Sequence, residues 1–363
     1  MLTQEMAAEI VEQTMIRLHR NINIMNNKGV IIASGNQNRL YQIHSGALEV
    51  LKSGKPLIIH DENLQQWEGS LPGINLPITF QDSIIGVIGI TGEPGEIMEF
   101  GELVKMITEM MIQQSFMAEQ LEWKQRLKEQ VFGELLKEHF HEDSIKQRLS
   151  LIEVTLAPPF QAAVLDLGLT PLKKKDIMQI FADTFHEAQS LIGYLTGNRI
   201  FVLTSNLAEA KLKQKLTTVL GKLNSNHLRI GIGLPVLDYT HIRHSYHEAL
   251  QALQLGSSEQ HLITFSEIET KALLTSLDER SKLQYIERIL GPLSDKFIET
   301  LDHFFKNNQN IGECAKSMYI HRNSLVYRLK KIRELTGLDP QRLNDAVPLQ
   351  LAVWLWEMDR NKG

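Results

Sequence analysis

The sequence predicts an α+β protein of several domains, with two α/β domains joined by a long helix and an all-helical end. The chain has 363 residues, too many for one hydrophobic core of ordinary size. Short β-rich runs bounded by turn residues occur in two separate stretches, before residue 92 and between 160 and 236. Apolar residues at helical spacing run without interruption from about 101 to 140 and dominate after 266.

The composition excludes several classes of protein. Charged residues make up 22% of the chain and hydrophobic residues 43%, which is typical of a folded globular protein. The longest apolar runs are about half a membrane span, so no membrane partner is expected, and the N-terminus lacks the pattern of a signal peptide. A single cysteine, Cys314, excludes an internal disulfide framework and fits a reducing compartment. We therefore expect a cytoplasmic protein.

The first hundred residues are predicted to form a small sensory domain. Apolar spacing predicts an opening helix over 3–20, and NINIMNNKGVIIAS predicts a hairpin that turns at Asn-Asn-Lys-Gly. A short helix in YQIHSGALEVLKSG is closed by Gly54. KPLIIHDEN, GINLPITFQDS and IIGVIGITGEPG predict further strands. A hairpin, a helix and an antiparallel meander give this α/β domain a PAS-like outline.

The stretch from Gly101 to about Phe140 predicts a long linking helix. Its apolar residues lie three or four apart, or at sums of those steps, and Gln114 and Lys124 fall on the same stripe. Such a helix is either a dimer or signalling stalk, or one helix packed on its own domain, and the pattern leaves both open. The stripe comprises Leu103, Ile107, Met110, Met117, Leu121, Leu127, Val131 and Leu135.

A second α/β domain is predicted from APPFQAAVLDLG onward. A helix near 171–188 precedes a hairpin, SLIGYLTGNRIFVLTS, which turns at Thr-Gly-Asn. A helix over about 207–224, the strand HLRIGIGLPV and the helix HIRHSYHEALQAL follow. This order of elements predicts a ferredoxin-like sheet with its helices on one face.

The C-terminal region contains a strongly basic segment, CAKSMYIHRNSLVYRLKKIR, which has no carboxylate although the whole chain has a formal net charge of -5. Two short helices, over 310–319 and 321–335, are joined by about three residues, which is the helix-turn-helix arrangement. The second helix then enters the DNA major groove with its N-terminal residues at the base edges. A solvated basic helix face is the alternative interpretation.

This geometry assigns roles to the polar residues of the second helix. Its first turn suits phosphate, and in base recognition Arg reads guanine and Asn reads adenine. The residues one turn later lie within reach of the backbone or bases, and the two lysines are phosphate anchors. The predicted DNA-binding residues are Lys316, His321, Arg322, Asn323, Ser324, Tyr327, Arg328, Lys330 and Lys331.

Several segments resemble a known family. HRNSLVYRLKKIRELTGLDP resembles the signature of PucR-type helix-turn-helix domains, with Ser324 where the usual residue is Thr. RLYQIHSGA, GINLPI and IIGVIGITGEPGEI resemble the sugar diacid recognition domain of the carbohydrate diacid regulator (CdaR) family. That family places a degenerate cyclase-like unit between the two, so the resemblance covers nearly the whole chain. It implies a sensor domain over 1–135, a degenerate GGDEF-like domain over 136–260 and a DNA-binding domain over 261–363.

The resemblance implies a small carboxylated sugar acid, such as glycerate, glucarate or galactarate, as the ligand. A carboxylate needs a guanidinium fork or a cluster of N–H donors, and Arg39 is the implied fork. Tyr41 and Gln42 stand where the family usually has Gly and Thr, which alters the expected size of the pocket. The implied ligand-binding residues are Ser34, Arg39, His44, Gly46, Ala47, Gly73, Asn75, Leu76 and Pro77.

The function implied is a ligand-responsive DNA-binding transcriptional regulator, more often an activator, of an operon for use of the same sugar acid. A homodimer or higher homo-oligomer is expected, without cofactor, metal or catalytic residue. The alternatives are a sensor-regulated nucleotide cyclase-like enzyme and a protein-interaction scaffold. A cyclase needs a GG[DE]EF loop where this chain has LTGNRI, and Asp166 alone cannot position a nucleotide through Mg²⁺. His241, His244 and His247 are interpreted as surface histidines.

Overall fold

The computed structural model divides into two compact units, Met1–Gln125 and Arg126–Gly363, and the boundary falls inside one long helix. Gly197, at the centre of the predicted Thr-Gly-Asn turn, and Pro171, near the predicted start of a helix, lie outside the residues that the structure describes. The described residues are 2–67, 70–168, 172–196, 198–224, 227–257 and 259–360.

The first unit contains a five-stranded antiparallel sheet in the order β2-β1-β5-β4-β3. The predicted opening helix, hairpin, short helix and later strands are all present. Two 3-10 turns, Gln37–Arg39 and Asp61–Gln66, connect them. The elements are α1 (Gln4–Leu18), β1 (Ile22–Asn26), β2 (Ile31–Ser34), α2 (Ser45–Ser53), β3 (Leu57–Ile59), β4 (Gly73–Phe80), β5 (Ser83–Thr91) and α3 (Pro94–Leu135).

Helices pack on both faces of this sheet. Side chains alternate between the two faces along each strand, so one strand contributes to both. Along β4, Ile74 and Leu76 join the core formed with α1 and α3. Asn75 lies between them and points to the other face, where its amide contacts the start of α2 at Gly46. Strand β4 therefore connects α3 on one face with the start of α2 on the other.

The linking helix α3 is continuous over 42 residues, and its apolar stripe divides into two parts. Leu127, Val131 and Leu135 are buried in the core of the second unit, where the ring of Phe132 stacks on that of Phe201 with centroids 3.8 Å apart. A stalk along the whole stripe is therefore wrong for its last part, since these residues fill the core of their own unit. The part before residue 122 remains exposed.

The second unit begins with a sheet in the order β10-β9-β6-β8-β7. The predicted order of strands and helices is confirmed, and the two helices of the ferredoxin-like unit, at 174–182 and 209–223, lie on one face of the sheet as predicted. Helices outside that unit cover the other face, which was not predicted. Strand β6 is buried on both faces, with α5 and α6 on one and α4, α7 and the end of α3 on the other. The elements are α4 (Glu142–Ser150), β6 (Phe160–Asp166), α5 (Lys174–Ala182), β7 (Ser190–Leu195), β8 (Arg199–Ser205), α6 (Glu209–Leu223), β9 (Arg229–Ile232), α7 (Ile242–Leu255) and β10 (Leu262–Thr264).

Six helices complete the second unit. The first of them packs on α7, and the carboxylate of Glu357 in the last contacts Lys271 Nζ at 2.8 Å and Lys306 Nζ at 3.3 Å. No helix in the described part of the chain is long and apolar enough to cross a membrane. The helices are α8 (Phe265–Leu273), α9 (Glu279–Leu290), α10 (Asp295–Lys306), α11 (Ile311–Ser317), α12 (Arg322–Thr336) and α13 (Leu343–Arg360).

Candidate functional site

Four of the predicted ligand-binding residues meet at one small polar cavity in the first unit. Arg39, His44, Gly73 and Asn75 line it together with Asn23. Arg39 comes from the turn after β2, His44 from the start of α2, and the other two from β4. The cavity has a volume of about 10 Å³, which is close to the space needed by one water molecule.

His44 caps α2 as a neutral ring. Its Nδ1 accepts a hydrogen bond from the backbone N–H of Ala47 at 3.3 Å. Burial, and then the charge of Arg39, lower the pKa of His44 to about 4. A neutral ring whose Nδ1 accepts carries its proton on Nε2. His44 can therefore donate one hydrogen bond to a ligand oxygen, but it adds no positive charge to the site.

Asn75 has an unsatisfied group in this cavity. The side chain is 3% exposed, and its Oδ1 has no hydrogen-bond partner among the described residues. The amide lies between two glycines, since a Cβ on Gly46 would be 3.3 Å from Nδ2 and a Cβ on Gly89 would be 2.9 Å from Oδ1. A buried acceptor without a partner costs about 1–3 kcal/mol. A ligand that donates a hydrogen bond to Asn75 Oδ1 would therefore remove this cost.

Asn23 was missed by the sequence-based reasoning. It is buried in β1, and its Oδ1 accepts a hydrogen bond from the hydroxyl of Ser34 at 2.6 Å. That contact leaves the two Nδ2 hydrogens of Asn23 as donors beside the cavity. Ser34 itself does not line the cavity, and its contribution is to hold the amide of Asn23 in place by this hydrogen bond. An amide in the middle of the apolar run NINIM was the signal that could have found this residue.

The structure does not bring the other five predicted ligand-binding residues, Ser34, Gly46, Ala47, Leu76 and Pro77, to the lining of the cavity. The side chain of Leu76 belongs to the core on the opposite face of the sheet, so only its backbone can face a ligand. Pro77 follows on the Asn75 face of the strand, pairs with Val87, and has no N–H to donate. Tyr41 has φ of +67°, a left-handed conformation that favours glycine, and its side chain is 67% exposed.

Helices α11 and α12 form the predicted helix-turn-helix pair. Helix α11 begins at Asn310, whose Oδ1 accepts from the N–H groups of Gly312 and Glu313. Helix α12 begins at His321, whose Nδ1 accepts from the N–H of Asn323 at 3.2 Å. Their inner faces share one core, which includes Cys314, Ala315, Leu325, Leu329 and Ile332.

The first turn of α12 is open to solvent. The predicted base readers Arg322, Asn323 and Ser324 are all exposed. Arg328 is half-buried, and its Nη1 donates to Thr300 Oγ1 of α10 at 3.2 Å. The structure therefore ties Arg328 to the helix behind α12, whereas the first-turn residues project from its free end.

The lysines near α12 have acidic neighbours just outside the basic segment. Lys331 Nζ contacts Glu334 at 2.7 Å, and Lys316 Nζ contacts Glu313 at 3.0 Å. The hydrogen bond and charge of Glu334 raise the pKa of Lys331. Such solvent-exposed ion pairs are weak because water and salt screen them, so a phosphate can compete for either lysine.

A larger cavity, of about 360 Å³, lies in the GGDEF-like part of the second unit. Its charged side chains are already engaged by the protein. Asp166 Oδ2 accepts from Arg199 Nε at 3.3 Å, and its Oδ1 accepts from the N–H of Gly168. Arg229 donates to the backbone carbonyls of three residues, Gly256, Ser257 and Gln260. This arrangement holds Asp166 in an ion pair.

Three sequence models of protein families match the chain. The model for sugar diacid recognition matches residues 2–135, the GGDEF-like domain matches 137–255, and the PucR C-terminal helix-turn-helix domain matches 297–355. The polar cavity of the first unit lies inside the first match, and α11 and α12 lie inside the third.

Individual relatives extend over the same regions. The carbohydrate diacid regulator of Escherichia coli (strain K12) is 30% identical over 98% of this chain and 98% of its own length. The uncharacterized protein YsfB of Bacillus subtilis (strain 168) is 27% identical over 98% of both chains. The DNA-binding transcriptional activator AdeR of Bacillus subtilis (strain 168) is 24% identical over 64% of this chain and 60% of AdeR. The first two similarities therefore extend along essentially the full length of both proteins.

Proposed function

This chain belongs to the carbohydrate diacid regulator family, and from that premise we propose a transcriptional regulator that binds DNA through α12 and a small sugar acid through its first unit. The unpaired, buried Oδ1 of Asn75 beside the half-buried Arg39 is the observation that carries the ligand half of the proposal. The order of the first sheet, β2-β1-β5-β4-β3, supports a PAS-like sensor as the domain that holds this site.

The donors and acceptors of the cavity suit a hydroxy-acid. A carboxylate accepts from the guanidinium of Arg39, and burial strengthens this attraction by lowering the local dielectric. A ligand hydroxyl donates to Asn75 Oδ1, which satisfies the unpaired acceptor. Nε2 of neutral His44 and Nδ2 of Asn23 supply further donors to ligand oxygens. Simple fatty acids lack the hydroxyl donor, so we expect glycerate, glucarate or galactarate to bind in preference to them.

We propose that the ligand response begins with a change of shape at this cavity. Its volume of about 10 Å³ is smaller than any of these acids, and in this proposal its wall moves outward when one binds. Strand β4 is part of that wall through Asn75, and it carries Leu76 in the core with α3 on its other face. A ligand that binds the opened state shifts the population toward it, and α3 is the element placed to receive the change.

The DNA half of the proposal rests on the exposed first turn of α12. Arg322, Asn323 and Ser324 are the proposed base readers, and Lys330 and Lys331 are the proposed phosphate anchors. His321 and Arg328 hold α12 in position through its N-cap and through Thr300. In this proposal the protein acts in the cytoplasm as a homo-oligomer and activates an operon for use of its sugar acid.

The rival proposal of a nucleotide cyclase is not favoured. Asp166 is the acid at the place where a cyclase would bind metal, and here it is paired with Arg199 at 3.3 Å. A cation of the protein thus occupies the carboxylate that Mg²⁺ would need.

A thermal-shift screen against glycerate, glucarate, galactarate and matched fatty acids tests the ligand half. A ligand that binds the folded state adds about 2.7 kcal/mol of stability at a hundredfold excess over Kd. We expect one hydroxy-acid to raise the Tm, and Arg39→Ala to abolish the shift. Arg17→Ala is the matched control, since Arg17 is an exposed arginine whose hydrogen bonds among the described residues go to Gln13 of the same helix. If no acid shifts the Tm, or if R39A responds like the unaltered protein, the proposed ligand site is wrong.

A further inference from the structure

An exposed apolar stripe runs along the first part of α3, and we infer that it is the seam at which two copies of this chain pair as a parallel coiled coil. Its seven positions repeat with steps of three and four, which is the heptad pattern of residues a and d. Six of them are apolar and 44–69% exposed, and the seventh, Gln114, is also exposed. The seam comprises Phe100, Leu103, Ile107, Met110, Gln114, Met117 and Leu121.

The seam is distinct from the face by which α3 packs on its own unit. That buried face comprises Gly101, Val104, Thr108 and Ile112, and it is complete in a single chain, since a Cβ on Gly101 would lie 2.0 Å from Ile74 Cδ1. Most seam residues lie one or two positions along the chain from a residue of the buried face. One position turns the direction of the side chain by about 100° around the helix axis. The seam therefore lies on a different side of α3 from the buried face, and its side chains are exposed.

The exposed apolar surface of the seam suits a dimer. Six large apolar side chains, each 44–69% exposed, lie on one side of the helix over three repeats of the heptad pattern, and pairing with a second copy would remove apolar surface from water on both helices. Soluble monomers rarely leave one contiguous apolar patch above about 300–600 Å² uncovered. A second copy covers the seam with an identical seam.

The flanking charges permit this self-pairing. In coiled coils the residues beside the seam, at positions e and g, select the partner through their charges. Seven such positions flank the seam, and six of them carry no charge. The charged one, Glu99, lies beside the first seam residue, where the facing e position of a parallel partner is the apolar Val104, so two identical helices meet no like-charge repulsion there. The six uncharged residues are Val104, Met106, Met111, Gln113, Ala118 and Gln120.

The position of Gln114 favours the parallel orientation. In a parallel pair in register, Gln114 lies opposite Gln114 of the second copy, and the two amides can hydrogen-bond to each other. In an antiparallel pair, residues at a face residues at d, so Gln114 lies opposite an apolar d residue such as Met110 and its amide is buried without a partner, which costs stability. One polar seam residue thus fixes orientation and register, as a buried Asn does in other coiled coils.

This inference deepens the proposed function and rests on its homo-oligomer, because it names the surface that joins two copies; that pairing needs neither sugar acid nor DNA, so its failure is distinguishable from failure of the ligand or DNA proposal. Its test uses the full chain without either ligand. Light scattering should give the mass of a dimer, and the double variant Met110→Glu with Met117→Glu should halve the mass at the same concentration, with Kd for self-association raised at least a hundredfold. Trp123→Glu is the matched control, since Trp123 is an exposed large apolar residue on the same helix but off the seam.

Single cysteines test the orientation with smaller changes. The native Cys314 is buried, so it stays in place and the unaltered chain gives the background. Under mild oxidation Leu103→Cys and Leu121→Cys should each form a disulfide-linked dimer, whereas Trp123→Cys should not. Unchanged mass in the double glutamate variant, or a monomeric unaltered chain, overturns the seam. Failure of both seam cysteines to cross-link overturns the parallel register.

Discussion

Thr79 donates both its backbone N–H and its hydroxyl to one carboxylate oxygen of Glu109, at 2.7 and 2.6 Å. Thr79 lies on β4, four residues after Asn75, and Glu109 lies on α3 next to Met110 of the proposed seam. The contact is a direct polar link between the strand that lines the proposed ligand cavity and the helix proposed to pair with a second copy. It is made by a charged acceptor, which makes it stronger than a neutral hydrogen bond.

We therefore predict that Glu109→Ala separates ligand binding from the ligand response. The sugar acid should still raise the Tm, because the cavity residues are unchanged. Its effect on DNA affinity should fall several-fold, because β4 and α3 lose a charge-assisted contact. Gel shifts with and without the acid measure this, and Glu102→Ala, at another exposed acid of α3, is the control. An unchanged response in E109A would show that the link carries no signal.

A second prediction concerns pH and His44. Its pKa is 6.5 in the unfolded chain and about 4 in the folded one. Between these values the unfolded state binds more protons, so stability is full above pH 6.5 and is lost as the pH falls toward 4. Lowering the pH from 7 to 5 should cost the first unit about 2 kcal/mol through this residue alone.

Urea unfolding of the unaltered chain and His44→Asn at both pH values measures this loss. Asn keeps an N-cap acceptor for α2 but does not titrate. The variant should lose about 2 kcal/mol less than the unaltered chain on acidification. Equal losses would mean that His44 keeps an ordinary pKa in the folded protein.

The third prediction uses the left-handed backbone of Tyr41. Both Tyr41→Gly and Tyr41→Ala remove the hydroxyl that accepts a hydrogen bond from Gln4 Nε2 at 2.8 Å. Only Ala retains the strain of a Cβ at positive φ, which costs roughly 1–2 kcal/mol. We expect Y41G to be about 1 kcal/mol more stable than Y41A, after the greater flexibility of glycine in the unfolded chain is subtracted. Paired urea curves measure the difference, and an advantage for Ala would contradict it.

The fourth prediction separates base readout from phosphate contact. Arg322→Ala should flatten the preference among operator sequences, because an arginine pairing with guanine contributes about 1–3 kcal/mol of discrimination. Lys330→Ala should weaken binding to all sequences alike and reduce the salt slope by about 1. Titrations at several salt concentrations on an operator and on unrelated DNA give both quantities. The assignment fails if the two variants behave alike.

Most elements of the fold could be predicted because they follow from local patterns. Gly54, for example, ends α2 with φ of +71°, as a glycine after a helical stretch predicts. The segments that pack against each apolar face could not be predicted in the same way. Met117 and Leu127 fall on one stripe, yet the first is exposed and the second is buried. Periodicity identifies an apolar face, and only the folded chain shows what covers it.

Some residues of the candidate sites could be predicted from the sequence, and others could be identified only from the folded chain. Arg39, His44 and Asn75 were predicted from a family resemblance, and the structure brings them to one cavity. Asn23 comes from a strand whose apolar neighbours concealed it. Arg328 belongs to a basic segment that looked uniform in sequence, but its guanidinium reaches Thr300 on another helix. Contacts between segments that are distant in sequence decide such roles, and the spacing of residues along the chain does not reveal those contacts.

Fragments made for crystallisation with operator DNA should begin no later than Phe265. The helix-turn-helix match starts at residue 297, and a fragment cut there would lose Lys271, which contacts Glu357 at 2.8 Å. It would also uncover Met358, which packs against the core formed by Phe265 and Ile268. The helix-turn-helix match is thus shorter than the stretch of chain that packs around the last helix, and a fragment limited to the match would expose apolar side chains that the full chain buries.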